Sequence, residues 1–228
     1  MKRRIILPVV YALLAVFFIV SCKKDNKVPP LNYGYNYFPN NVGHYVIYNV
    51  DSMVINSFTS TTDTFLFQIK EVIDSIFTDG SNRPTQRIVR YKRANDTSKW
   101  LLEKVWSANL TATDAEKVED NIRYVRLVFP PNLNASWNGN KYNTNGDMEY
   151  QYTSVDAPLT LNSINFDSTL TVLQLSNHNG IQNQHYEEQY ARNIGLIYKE
   201  ITDETSSTIF GPYTSGVIYT ETYVSSGN

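Results

Sequence analysis

Cysteine is almost absent: Cys22 is the only one in 228 residues, so no intrachain disulfide can staple this fold. Histidine is scarce too. His178, His185 and Glu188 offer imidazole and carboxylate groups for a metal, but their spacing matches no zinc pattern, and a polar hairpin with exposed histidines is the simpler reading. The glycines build neither a Walker-type phosphate loop nor a dinucleotide fingerprint, and no serine sits in a Gly-x-Ser-x-Gly elbow. No cofactor is therefore expected. What is abundant is the aromatic side chain, with 17 Tyr, 10 Phe and 3 Trp. That composition excludes a disordered or collagen-like chain and fits one globular domain, or at most two small ones.

The first 22 residues carry an address. Lys2, Arg3 and Arg4 form a positive start, and Ile5 to Val20 is an apolar run interrupted by Pro8 and Tyr11. It is shorter than the ~20 residues a bilayer-crossing helix needs, and the polar stretch Lys23 to Lys27 follows at once, as in a secretory leader. Ile19-Val20-Ser21-Cys22 resembles a bacterial lipobox. The resemblance implies cleavage after Ser21 and lipidation of Cys22, whose thiol is the nucleophile that takes the lipid. Several acyl chains, each buried CH₂ contributing ~0.8 kcal/mol, would anchor the mature chain to a membrane.

Loss of residues 1–21 removes three cations and leaves 17 Lys and Arg against 22 Asp and Glu, a net charge of −5. No nucleic-acid partner is expected from that balance. The sequence divides into a leader (1–21), a lipid-anchored tether (22–39) rich in Pro, Asn and Gly, and a single β-rich domain (40–228).

From Gly43 onward, alternation of apolar and polar residues recurs. Val46, Tyr48 and Val50 share a phase, as do Phe65, Phe67, Ile69 and Ile73, then Val125, Leu127 and Phe129, and later Ile194, Leu196 and Tyr198. Period-2 patterning of β-branched and aromatic residues predicts half-buried antiparallel strands. Asp79-Gly80, Asn138-Gly139, Asn145-Gly146 and Asn179-Gly180 mark the turns. Ala115 to Asp120 reads as a short helical turn. The expected fold class is all-β: an antiparallel meander of about nine to eleven strands, closed into a lipocalin-like barrel or split into a two-layer sandwich.

Candidate chemistry is thin. Glu71 falls on the inward phase of its strand and needs a partner, which one of Arg87, Arg90 and Arg93 in the next strand can supply. An interior ion pair is the plain reading, and Glu71 with Arg90 as polar anchors of a ligand cavity is the functional one. Trp100 and Trp106, expected on one strand face, and Trp137, in a polar loop, either fill the core or present a stacking surface.

Several strings occur together: Tyr37-Phe38-Pro39 before Val42-Gly43-His44-Tyr45, Val50-Asp51-Ser52, Trp137-Asn138-Gly139-Asn140, and Tyr190-Ala191-Arg192-Asn193-Ile194-Gly195-Leu196-Ile197-Tyr198-Lys199-Glu200. With the lipobox, they make the chain resemble uncharacterised envelope lipoproteins of Bacteroidetes-type bacteria. The resemblance implies a β-rich, outer-membrane-anchored protein and assigns it no chemistry. The leading expectation is a non-enzymatic module that binds a lipid, glycan or peptide. Next comes an accessory protein docking onto another envelope protein, and last a hydrolase.

Overall fold

The computed structural model describes residues 32–228; the leader, Cys22 and most of the expected tether lie outside them. Twelve strands form one antiparallel sheet: β1 (Tyr45–Asn56), β2 (Thr61–Thr78), β3 (Pro84–Arg93), β4 (Leu101–Leu110), β5 (Asp114–Glu119), β6 (Ile122–Val128), β7 (Ser136–Asn138), β8 (Glu149–Leu161), β9 (Ile164–His178), β10 (Gln182–Ala191), β11 (Gly195–Ser206) and β12 (Tyr213–Gly227). Neighbours in sequence are neighbours in the sheet, except that β12 pairs with β1 and leaves β6 and β7 at the margins. The all-β meander read from the sequence is thus the observed architecture.

The count exceeds the expected range by one, and two strands fall where none was read. Residues 115–119, read as a helical turn, belong to β5, whose hairpin to β6 turns on Asp120 and Asn121, both with positive φ. That pair fits a two-residue hairpin turn, whose twist matches that of the flanking strands. Strand β7 is three residues long and sits inside what reads as a polar loop.

The two margins meet, so the sheet curls into a nearly closed barrel. Val125 N–H donates to Gly139 O at 2.8 Å, and Trp137 Nε1 donates to Val125 O at 2.9 Å. The Tyr152 hydroxyl accepts from Val128 N–H and donates to Val128 O, at 3.0 and 2.8 Å. Closure removes two raw sheet edges. Gly139 allows it: a Cβ there would lie 2.4 Å from the Tyr150 ring. Gly139→Ala is expected to force the seam apart and cost about 2 kcal/mol, a typical overpacking penalty; a urea midpoint within error of the wild type would refute this.

Strand alternation places the chain's starting end, with the turns after β2, β4, β6, β8 and β10, at one end of the barrel. The turns after β1, β3, β5, β7, β9 and β11 lie at the other. Residues 34–39 close the first end. Tyr37, in a single 3₁₀ turn (Tyr35–Tyr37), is fully buried. Its hydroxyl bonds Asp156 at 2.5 Å and Ser168 at 2.7 Å, while the Arg192 guanidinium lies 4.6 Å from its ring centre. Burial and the Asp156 hydrogen bond push the Tyr37 phenol up to about 12. The final residues of the expected tether are therefore part of the folded body.

Candidate functional site

Glu71 points into the barrel, and Arg90 is its partner: the Arg90 Nη1–Glu71 Oε1 distance is 2.5 Å. The register explains the choice, because Glu71 stands directly opposite Arg90 across β2 and β3, and cross-strand partners share a face. Arg87 pairs instead with Asp74, and Arg93 with Asp96.

This pair is one link of a longer chain of charges. Arg90 also pairs with Glu221 and lies 3.3 Å from Glu103. Lys117 bridges Glu71 at 3.0 Å and Glu119 at 3.5 Å. Arg126 bridges Glu119 at 2.8 Å and Glu188 at 3.2 Å, and Lys199 lies 3.5 Å from Glu188. Arg90, Lys117, Arg126 and Lys199 thus balance Glu71, Glu119, Glu188 and Glu221. Trp106 lies over two of these cations, 4.8 Å from both Arg90 and Lys117.

The charges shift one another. Burial alone would raise the Glu119, Glu188 and Glu221 carboxyls. The cations reverse that: Arg126 and Lys199 hold Glu119 and Glu188, and Arg90 and Lys199 hold Glu221, all below the usual carboxylate range. Burial pushes Lys117 down, and Glu71 and Glu119 raise it above its ordinary value. These groups are ionised at neutral pH and neutralise one another, while the buried Arg126 Nε is left without a hydrogen-bond partner.

The cavity among them is about 80 Å³. Ligand pockets for drug-sized molecules are ~300–1,000 Å³, so this space suits a few waters rather than a lipid or sugar. Of the sequence candidates, Glu71, Arg90 and Trp106 come together here. Trp100 does not join them. A register shift between Arg90 and Tyr91 breaks the alternation along β4, and Trp100, which precedes the strand, packs 4.4 Å from the Arg93 guanidinium. Trp137 packs against Tyr150 and Tyr152 at the barrel seam. Glu188 is committed to the ion chain, while His178 is exposed beside Asn183.

Lys117, Glu119, Arg126, Lys199 and Glu221 were not singled out from the sequence, and Glu188 was named only as a conceivable metal ligand. A signal for two of them is there. Glu188 lies two residues from Tyr186 and from Tyr190, and Glu221 two from Tyr219 and from Tyr223. Glu71 has the same setting between Ile69 and Ile73.

A larger concavity lies at the end of the barrel remote from Tyr37. Strand β3 stops at Arg93, paired with Gln68, whereas β2 continues for seven more residues toward its hairpin with β1. The result is a notch of about 590 Å³ between β2 and the start of β4. Phe65 is 52%, Leu66 69%, Leu101 69% and Leu102 64% exposed. Lys92 and Arg93 stand at its floor, with the Lys92 ammonium 3.7 Å from the Phe67 ring centre.

No family model matches the chain, and no curated protein matches it. Two solved structures are similar. One is a protein of Bacteroides fragilis, described as exported and as having a YmcC-like fold, 13% identical with a TM-score of 0.45 over 84% of this chain and 98% of that one. The other is described as a lipoprotein of Parabacteroides distasonis, 11% identical with a TM-score of 0.40 over the same shares of the two chains.

Proposed function

We propose that this protein is an envelope module, anchored by lipid on Cys22, that binds a partner molecule rather than transforming one. The observation that carries the reading is the notch. Large aliphatic and aromatic side chains left exposed side by side in a concavity mark a binding site, and the barrel's own interior is taken up by matched charges and an apolar core.

The test uses an amphipathic anionic fluorophore, anilinonaphthalene sulfonate. The wild-type protein is expected to enhance its fluorescence saturably, and the Leu66→Ser, Leu102→Ser double variant to weaken binding about thirtyfold, because two leucine contacts buried on binding each contribute ~1 kcal/mol or more. Both side chains are exposed, so the variant should keep its fold. Equal dye binding by the two proteins would overturn the reading.

A further inference from the structure

Resting on that binding reading, we infer that the occupant of the notch is an extended peptide segment of another protein, added as a strand to the free edge of β2. Thr61–Phe67 pair with Val50–Asn56 of β1 on one side. On the other side the β3 ladder begins only at Gln68, so among the described residues these seven have no strand partner. Unpaired main-chain groups along an extended edge are a template for another strand, with side-chain pockets setting specificity.

Leu101–Trp106 of β4 also lack a second strand partner among the described residues, since β5 joins only from Ser107, but that edge carries Glu103 and Lys104, and a third edge is treated differently again. Beyond the residues that pair with β7, β8 is interrupted by three register irregularities, by Asp156 at positive φ and by Pro158, all devices that discourage pairing. The β2 edge, Thr-Thr-Asp-Thr-Phe-Leu-Phe, has no proline and a single charge.

Two occupants fit poorly. Residues 23–31 carry Lys23, Lys24, Lys27, Pro29 and Pro30, and proline cannot donate to a ladder. A second copy, paired antiparallel about Thr64 so as to use the whole edge, sets Asp63 against Phe65 and Leu66 against Thr62. A foreign strand avoids both mismatches when it places a cation opposite Asp63, apolar residues opposite Phe65 to Phe67, and an acid near Lys92 and Arg93.

The probe is an acetylated, amidated octapeptide, Glu-Val-Ile-Val-Thr-Lys-Thr-Thr, whose lysine falls opposite Asp63 in the antiparallel register. Saturable binding is expected, with slowed amide exchange at residues 61–67. N-methylation of alternate peptide amides should weaken it about a hundredfold by removing ladder donors. Asp63→Lys should weaken it about tenfold, with affinity restored by a peptide carrying glutamate in place of lysine. Equal binding of a scrambled or N-methylated peptide, or no protection of residues 61–67, overturns the inference. If the fluorophore still binds the notch while the peptides do not, the strand partner is refuted and the binding reading stands; loss of both refutes the two together. Peptide-independent dimerisation abolished by Leu66→Lys would assign the edge to a second copy and overturn the foreign strand.

Discussion

Arg90→Ala is expected to lower the melting temperature by about 10 °C. Arg90 reaches Glu71, Glu103 and Glu221 with its forked donors and also donates to Tyr219 at 3.1 Å. Truncation leaves the Glu221 carboxylate, 2% exposed, inside the barrel without its main counter-charge. Breaking a buried pair from one side costs about 3–5 kcal/mol, and each kcal/mol shifts the melting of a domain this size by ~2–4 °C. Arg90→Lys should fall between, because one ammonium keeps the charge but cannot span several carboxylates at once. Calorimetry checks this: an alanine variant melting within 2 °C of the wild type, as a rough threshold, would mean the ion chain is dispensable. Glu221→Gln in the Arg90→Ala background should recover part of the loss, since the stranded charge is then gone.

Acidification should act on the same chain of charges. Glu119, Glu188 and Glu221 have folded pKa values below the ordinary carboxylate value. The stability they contribute is therefore complete above the unfolded value of ~4.3 and is lost as pH falls through the folded values. Facing them are the cationic side chains of Lys117, Arg126, Lys199 and Arg90, so protonation leaves buried cations in excess. The urea midpoint should be flat from pH 7 to about 5 and should fall by about half by pH 3. An unchanged midpoint at pH 3 would sink the prediction. At the alkaline side the sign reverses: burial pushes Tyr150 up to about 12, so its contribution is present below ~pH 10 and lost as pH rises further.

Much of the site was readable at one position and hidden at others. Glu71 stood out because a carboxylate on the phase of Phe67, Ile69 and Ile73 must face inward, and Arg90 was within the next strand. Lys117 was obscured because β5 was read as a helical turn, which removes the alternation that would have turned it inward. Trp100 and Trp106 were assigned one face by counting in twos. The bulge at Arg90 and Tyr91 resets that count, and no residue type announces it. Trp137, in a polar loop, reads either as core or as an exposed stacking surface. Its indole completes the β6–β7 seam, a contact between margins that local pattern does not encode.

Alternation, turn residues and aromatic content determined the strand-rich meander, because each depends on spacing within a few residues. Only the folded barrel decided that eight interior charges neutralise one another, that the cavity among them is small, and that β2 outruns β3 to leave an open edge. Those facts depend on registers between strands, where a one-residue slip turns every side chain to the opposite face.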